Sequence, residues 1–311
     1  GLKRYIIRSR GRTPNGKEQT VTLSALCKSF ASYMHAAHLE TMPGGAKLYF
    51  WTGDVIDGPV YSNDELNILD VPGPLFKDSV NSASNKVHYL WGATSNVFTK
   101  GINLGVSPID ITGQFSSGHI SEIKNEANSG GLALTGDYQI DFNADGSFVY
   151  RQIGTGITNT SYLASLNGAI YVDGDAYVNG VVNGKVTLAA QDTIYVSNRI
   201  VYASAMSPSP WQTNFDYNAV TDMLGLIASN QVQILGTSNV TIHAAVMVTA
   251  DGGGLNAFAH DQPIGKPYIY LYGSCAQYRS GITGMAFFTN SGSTSSSEKL
   301  VGGAPCRFES F

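Results

Sequence analysis

Charge is scarce in this chain of 311 residues: Asp, Glu, Lys and Arg make up 14% of it, against about a quarter of a typical soluble domain. Long apolar runs are also lacking, since no stretch approaches the roughly 18 uninterrupted apolar residues of a membrane-spanning helix. An apolar content of 43% and a net charge of -4 exclude a disordered chain, because such a chain has ample surface to bury. Neutral residues are abundant instead, with 35 glycines and many Ser, Thr and Asn. This profile favours an extracellular all-β protein over a cytosolic enzyme.

Cysteine is sparse as well, with Cys27, Cys275 and Cys306 as the three examples. No CxxC or Cys/His spacing that suits a structural zinc site is present. Cys275 and Cys306 could pair in an oxidising compartment and leave Cys27 free, or all three could stay thiols. A bridge requires Cα atoms within about 7 Å, which a sequence does not show.

Familiar catalytic motifs are missing: there is no GxSxG, no P-loop and no GxGxxG that opens a helix. In the segment 141–146 (DFNADG), Asp141, Asn143 and Asp145 match the first half of a calcium loop. The twelfth loop position is Gln152, whose neutral amide cannot replace the usual bidentate Glu. A weak surface calcium site therefore competes with a hairpin turn, for which Asn, Asp and Gly are equally suited. We predict no catalytic residue, no cofactor and no enzymatic activity.

Four aspartates lie in Gly-Asp corners of the sequence: Asp54, Asp57, Asp173 and Asp175. Carboxylates in such corners serve as acid, base or metal ligand in some polysaccharide lyases and glycosidases. Corner aspartates also cap exposed backbone N–H groups. The capping role is the preferred interpretation, and a lyase or hydrolase is an alternative.

The positive charge is concentrated at the N-terminus. Residues 1–28 hold seven cations and one anion, for +6, and the remaining 12 cations and 22 anions give -10. Arg8, Arg10 and Arg12 are therefore candidates for contact with phosphate or anionic lipid, or they line the outer face of a strand. A second candidate surface consists of aromatic side chains that could stack on sugars or bases. Its members are Trp51, Trp91 and Trp211.

Local patterns predict several elements. Residues 5–11 and 19–23 are predicted to be strands joined by a Pro-Asn-Gly turn, and residues 138–142 and 147–150 to be a second hairpin. Residues 24–39 have apolar side chains three and four positions apart and are predicted to be a helix, with an aromatic strand as the alternative. Residues 119–130 are predicted to be a short helix or a loop excursion. We also expect a targeting or anchoring segment before residue 1.

Strand-sized apolar units follow one another between residues 166 and 275, with short connections rich in Asn, Asp and Gly. Two architectures fit this pattern: a compact antiparallel sandwich and a parallel β-helix, in which each turn of chain needs neighbours to bury its apolar face. Alternating apolar and small polar residues favour the β-helix. An approximate repeat, residues 49–60 against 170–182, points the same way.

Residues 49–64 (YFWTGDVIDGPVYSND) resemble an element of large bacterial surface proteins of the type IV pilin-like kind, which carry a domain called DUF4900. The similarity covers about residues 47–290. Further segments with the same resemblance are 168–175, 182–187, 224–228, 242–247 and 278–284. The first 25 residues resemble the strands that follow a pilin's N-terminal helix, although that helix is absent from this sequence.

The resemblance implies a mainly β chain: a small pilin-like α+β part at 1–46, a β-solenoid (parallel β-helix) at 47–290 and a tail at 291–311. It implies a non-enzymatic structural or adhesive role on a bacterial cell surface or in a type IV pilus-like filament. The expected partners are other pilin-like subunits, with membrane anchoring through the missing helix. A pilus-tip receptor for DNA or glycan is the first alternative.

Overall fold

The computed structural model describes residues 3–27, 29–69, 72–110, 118–205, 219–235, 239–257, 269–281, 283, 287–289, 299–301 and 306–309. The protein is mainly β, and most of its strands join one large, predominantly parallel sheet. The strands before residue 110 are β1 (Lys3–Arg12), β2 (Glu18–Cys27), β3 (His35–Leu39), β4 (Val55–Asp57), β5 (Val60–Ser62), β6 (Asn67–Leu69), β7 (Leu75–Phe76), β8 (Val80–Ser82), β9 (His88–Leu90) and β10 (Ile102–Leu104).

The described part of the chain has one α-helix, α1 (Gly118–Asn128), which is neither long nor apolar enough to cross a membrane. The strands after it are β11 (Leu132–Thr135), β12 (Tyr138–Phe142), β13 (Ser147–Gln152), β14 (Thr158–Tyr162), β15 (Ala169–Asp173), β16 (Ala176–Val182), β17 (Lys185–Ala190), β18 (Thr193–Tyr202), β19 (Met223–Ala228), β20 (Gln231–Ile234), β21 (Val240–Val248), β22 (Leu255–Ala257), β23 (Ile269–Arg279), β24 (Phe287–Thr289), β25 (Lys299–Val301) and β26 (Cys306–Glu309). Short 3₁₀ turns lie at Phe30–Ser32, Ser95–Val97, Leu163–Ser165 and Ala203–Ala205.

Parallel pairing runs through the sheet in long rows. Row A consists of β11, β15, β17, β19, β21, β23, β3, β5, β8 and β10, in this spatial order. Row B consists of β12, β16, β18, β20 and β22. Paired residues lie about 20 positions apart in several of these steps, as in Val60↔Val80 and Leu226↔Val246.

Alternation of side chains explains why these short segments form strands. In β21, Val240, Ile242, Val246 and Val248 are all at most 1% exposed and join the main apolar core. Ala244 joins the same core, and Thr241, Ala245 and Met247 alternate with these residues and are more exposed, as expected for a strand with a period of two. Equivalent residues of neighbouring strands stack on one another, so the rows bury lines of Ile, Leu and Val, which in row A are interrupted by Cys275 and His35.

The outer surface of row A is also covered. On α1, Ile120, Ile123 and Ala127 share one helix face and pack on Tyr171 and Ala189. Farther along the row, apolar residues cover the small side chains of the paired strands β23 and β3. The members of this second cluster are Phe30, Tyr33, Ala36, Ile109, Met247, Ala276 and Tyr278.

Row A has an unexpected chain order. Strand β23 pairs with β21 on one side and with β3 on the other, so Cys275 lies opposite His35. We call this β23–β3 pairing the seam. Residues 35–104 therefore continue the stack that residues 132–279 begin, although they come first in the sequence. Strand β26 enters the same region between β23 and β4.

Most local predictions are confirmed. The hairpins at 5–23 and 138–150 and the helix near 119–130 are present, and the predicted apolar units between residues 166 and 275 form strands. The predicted helix at 24–39 is wrong: β2 continues to Cys27, and β3 is a strand. Pairing of β3 with both β23 and β5 outweighs the helical spacing of its apolar residues. Strand β3 is therefore hydrogen-bonded into the large sheet. The domain boundary at residue 46 stays a prediction.

We predict that Gly273 cannot be replaced. Its φ is +143°, and a Cβ built there would lie 2.0 Å from the carbonyl oxygen of Ala244 in the neighbouring strand. Gly273→Ala should lower the free energy of unfolding by about 3 kcal/mol, through backbone strain and overpacking. Gly252→Ala is the matched control, since nothing lies within 4 Å of its Cβ position. Equal stability of the two variants in thermal or urea unfolding would contradict this account.

Candidate functional site

A polar and aromatic ladder crosses the outer surface of row B. It is formed by one residue from each strand at the same register position. Its members are Gln139, Tyr177, Tyr195, Gln233 and Asn256. The residues on either side of each tyrosine are buried, so the tyrosines themselves point outward and are partly exposed. We call this set the tyrosine ladder.

The two tyrosine rings stack on each other. Their centroids lie 4.6 Å apart, and the ring planes differ by 13°. Burial raises the pKa of both phenols, with smaller contributions from nearby carboxylates, including Asp175. Both therefore stay protonated at neutral pH. Because each ring covers a face of the other, the pair presents edges and hydroxyl groups to solvent rather than an open stacking platform.

Carboxylates flank the tyrosine ladder at the corner where row B begins. Oδ1 of Asp137 accepts a hydrogen bond from the backbone N–H of Asp175 at 2.8 Å, and Oδ1 of Asp175 accepts one from the N–H of Thr193 at 3.0 Å. Burial raises the pKa of Asp175, and the charges of Asp192 and Asp137 raise it further. This corner is a hydrogen-bonding surface of negative potential, which favours hydroxylated or cationic ligands over phosphate.

A second polar cluster lies inside the seam. Nε2 of His35 is 3.0 Å from Oε1 of Glu40, and the Ser280 hydroxyl donates to Oε2 of the same carboxylate. Glu40 is 1% exposed. Burial by itself would raise the pKa of Glu40, but His35, Ser280 and Ser62 together lower it below its usual value. An ionised carboxylate is thus held in the interior by residues up to 240 positions away.

Arg279 ties the same seam together from the other side. Its guanidinium bonds Oδ1 of Asp251 at 2.6 Å through Nη2 and Oγ1 of Thr41 at 2.7 Å through Nη1. It also reaches the carbonyl oxygens of Thr41 and Met42. Because a buried charge with no partner is costly, this satisfied network fixes the register in which β23 meets β3.

The seam cluster lines a cavity of about 70 Å³ together with Cys275, yet it lacks an activated nucleophile. The Ser280 hydroxyl donates to Glu40, and the lowered pKa of that carboxylate makes it a weak base for the serine proton. Burial raises the pKa of the Cys275 thiol to about 12, with a further contribution from Glu40. The cluster therefore links residues 35–40 to residues 275–280 through buried polar contacts.

The calcium candidates form a turn. Oδ1 of Asp145 accepts hydrogen bonds from the backbone N–H and the hydroxyl of Ser147, and the Asn143 amide donates to that same hydroxyl. Asp141 accepts instead from the amide of Gln139. The hairpin-turn interpretation is confirmed. In the described ranges, no three His, Cys, Asp or Glu side chains are grouped so as to hold a metal ion.

The four corner aspartates do not converge on one another. Asp54 caps the backbone N–H of Trp51, and Asp57 pairs with Lys77. Asp173 accepts from the Tyr171 hydroxyl, and Asp175 caps the next strand as described above. The predicted capping role is confirmed for Asp54 and Asp175.

The aromatic and basic candidates are dispersed. Trp51 follows an isolated bridge between Phe50 and β6, and Trp91 follows β9, so the two residues lie about two strand spacings, roughly 10 Å, apart. Trp91 adopts a φ of 56°, an unusual value for a bulky residue. Trp211 lies outside the described residues.

The basic candidates lie on the N-terminal hairpin. Arg8, Arg10 and Arg12 share one of its faces, where Glu18 pairs with Arg10 and lies 3.7 Å from Arg12.

Of the two alternatives for Cys275, the free thiol is confirmed and a disulfide with Cys306 is not formed. Cys275 is a free, buried thiol. The parallel register places Cys306 opposite Ile269, six positions before Cys275. At about 3.3 Å per residue this separates the two cysteines by roughly 20 Å along the strand, far beyond the reach of a disulfide.

Sequence reasoning missed both polar clusters. The tyrosine ladder depends on register between strands 18 to 38 residues apart, and the only available signal was the alternation of Tyr with Ala, Val and Ile in each strand. The seam joins residues 35–40 to residue 280, and no local pattern marks a contact of that separation.

We predict that Glu40→Gln weakens the fold and changes its acid sensitivity. Loss of the buried charge should cost about 3 kcal/mol of unfolding free energy at pH 7. A lowered pKa in the folded state means that the wild type loses this stabilisation as pH falls below about 4.5, whereas the variant should lack that part of the acid dependence. The control is Glu65→Gln, which removes a more exposed pairing with Lys47 and should cost less than about 1 kcal/mol. Urea unfolding from pH 7 to pH 3 measures both effects, and identical profiles for wild type and Glu40→Gln would refute the account.

Comparison with known proteins finds no relative: no family model, no curated protein and no solved structure matches this chain. The resemblance to DUF4900-bearing pilin-like proteins therefore stays a prediction. Function is inferred below from the chemistry and geometry of the chain itself.

Proposed function

We propose that this protein is a non-enzymatic structural or adhesive component of a bacterial cell surface or pilus-like filament, and that its large sheet winds as a parallel β-helix. The observation that carries the proposal is row A. Ten strands pair in parallel without a break, which at about 4.8 Å per step corresponds to a stack roughly 43 Å long.

A stack of this kind supports a spacer or a display scaffold. Each strand buries its apolar side against the strands before and after it, so the stack is stiff along its axis. Four long strands change their partner or their register partway along their length: β16, β18, β21 and β23. Such a change is expected where a chain bends from one face of a β-helix to the next. A rigid rod is useful to a cell where a surface must be held away from an envelope.

The tyrosine ladder supports the adhesive part of the proposal. It is a flat, partly exposed surface whose hydroxyl, amide and carboxylate groups repeat at the strand spacing. Hydroxyl-rich polymers such as glycans offer many donors and acceptors to a surface of this chemistry. The neighbouring carboxylates disfavour nucleic acid at this position, since they repel phosphate.

Surface location is tested by protease treatment of intact source cells. We expect peptides from residues 118–281 to be released without lysis, while a cytoplasmic marker protein stays intact. Peptides that appear only after lysis would refute the surface role. The result does not depend on knowledge of any ligand.

Adhesion is tested with purified protein on a glycan array and on isolated peptidoglycan. Tyr177→Ser combined with Tyr195→Ser should weaken binding at least tenfold, because both hydroxyls and their aromatic surface are lost from the ladder. Tyr89→Ser is the matched control, since Tyr89 is 36% exposed and lies on a different strand row. Equal binding by all three proteins would exclude the tyrosine ladder as the contact surface.

A further inference from the structure

A pocket of about 250 Å³ lies at one end of the tyrosine ladder. Its walls include the turn at 252–253 and two apolar residues, Met42 and Pro43, from the segment that follows β3. Three amide side chains of row B also line it: Gln231, Gln233 and Asn256. Since two of these amides are members of the tyrosine ladder, the pocket and the ladder form one continuous surface. We call it the amide pocket.

Strand geometry brings the three amides together. Gln231 and Gln233 lie two positions apart on β20, so their side chains lie on the same side of the sheet. Val232 and Ile234 point into the core instead. Asn256 lies opposite Gln233 in the register of β22, and its Nδ2 donates to Oε1 of Gln231 at 3.0 Å. The amides are therefore held side by side on the outer surface of row B.

The side chain of Gln233 has unused hydrogen-bonding capacity. Among the residues that the structure describes, none accepts from or donates to its carboxamide. A carboxamide carries two N–H donors and one acceptor oxygen, and Gln233 is partly exposed at the pocket wall. It therefore offers both donor and acceptor groups to a ligand in the pocket.

The positive charge in the amide pocket is already compensated. Arg279 lines the pocket, but its Nε and Nη2 both donate to Oδ1 of Asp251, at 2.9 and 2.6 Å. Its Nη1 donates to Thr41 and to the carbonyl oxygen of Met42. Arg279 thus connects the Met42 wall to the turn after Asp251 and supplies no unpaired cation. A pocket of this kind favours an uncharged ligand over a phosphate or a carboxylate.

A sugar ring has chemistry that matches this pocket. Its hydroxyl groups both donate and accept, as the carboxamides do, and its C–H groups suit the apolar contact that Met42 and Pro43 provide. Drug-sized ligands occupy pockets of roughly 300–1,000 Å³, so about 250 Å³ suits one ring rather than a longer chain. A nucleotide also bonds to amides, but its phosphate would meet the carboxylates beside the ladder, such as Asp175.

We propose that the amide pocket binds one uncharged sugar ring of a glycan whose adjoining sugars lie along the tyrosine ladder. This inference rests on the proposed adhesive function and deepens it by naming the ligand class and its main contact. Three strand spacings of about 4.8 Å separate Asn256 from Tyr177, which is roughly 14 Å. A short oligosaccharide is therefore long enough to contact the pocket and both tyrosines.

Calorimetric titration of the full chain tests the ligand class. The uncharged probes are tetramers of glucose, N-acetylglucosamine, mannose and galactose, and the acidic probe is a tetramer of galacturonic acid. At least one uncharged tetramer should bind with a dissociation constant tenfold or more below that of the acidic tetramer. Absence of binding by all four uncharged probes at millimolar concentration, or tighter binding of the acidic tetramer, would overturn the proposal.

Gln233→Leu tests the pocket itself. The change removes the carboxamide at similar side-chain size and breaks no hydrogen bond within the described residues, so the variant should fold like the wild type. Its affinity for the best uncharged tetramer should fall about tenfold, because it loses hydrogen bonds to the sugar. Gln19→Leu is the matched control on the N-terminal hairpin and should bind like the wild type. Wild-type affinity of Gln233→Leu would exclude the pocket as the contact.

A length series separates the pocket from the ladder. Gln233→Leu should weaken binding of both the monosaccharide and the tetramer. Tyr177→Ser with Tyr195→Ser should leave the monosaccharide unaffected and remove the gain in affinity that the additional sugars provide. Loss of all binding in the tyrosine variant, with none in Gln233→Leu, would refute the pocket and leave the ladder as the adhesive surface.

A second variant covers the case in which Gln233→Leu fails to fold by circular dichroism. Met42→Ala removes an apolar wall and keeps the backbone carbonyl that Arg279 bonds. It should weaken binding of the tetramer at least threefold, and an unchanged affinity would count against the pocket. A protein that binds none of the probes but is still cleaved on intact cells would remove the glycan site while leaving the proposed surface role in place.

Discussion

Strand β23 is the contact on which the rest of the sheet depends, because it pairs with β21 on one side and β3 on the other. Without it, residues 35–104 and residues 132–279 would form two separate stacks, each with an open parallel edge. An open edge of unpaired backbone groups is costly and prone to wrong pairings. The buried Glu40 network and Arg279 lie at this position, where an error of register would leave charges without partners.

The outer sides of row A and row B differ in how far other parts of the chain cover them. The outer side of row A lies under α1 and under Ile109 and Phe30, and its outward residues include the small side chains of Ala36, Ala189 and Ala276. The outer side of row B carries the tyrosine ladder in partial contact with solvent. One side of the stack is therefore packed against other parts of the chain, and another stays in partial contact with solvent.

Charge is distributed unevenly between the interior and the surface of the protein. In the buried seam, Glu40 accepts a hydrogen bond from Ser280 and lies beside His35. Burial raises the pKa of the Cys275 thiol, so that the thiol stays protonated. Surface carboxylates cap backbone N–H groups at strand corners. The largest local imbalance lies in residues 1–28, which carry +6.

Local pattern was sufficient for much of the secondary structure. The Asn-Ala-Asp-Gly turn after residue 142 specifies its hairpin because those residues suit tight turns. Alternation in segments such as 240–248 specifies a strand, since one side must be apolar and the other need not be. Segment 24–39 shows the limit of this reasoning: its apolar spacing fits a helix, but pairing with β23 and β5 makes part of it a strand.

By itself, then, the sequence determined a mainly β chain, its turns, its hairpins and its one described helix, because these follow from neighbours a few residues apart. The tertiary structure alone decided which strands meet, and therefore the seam, the tyrosine ladder and the separation of Cys275 from Cys306. The physical reason is that parallel pairing joins strands through backbone hydrogen bonds that every residue offers equally. Register is selected by the whole buried core and its polar contacts, some of which join residues 240 positions apart.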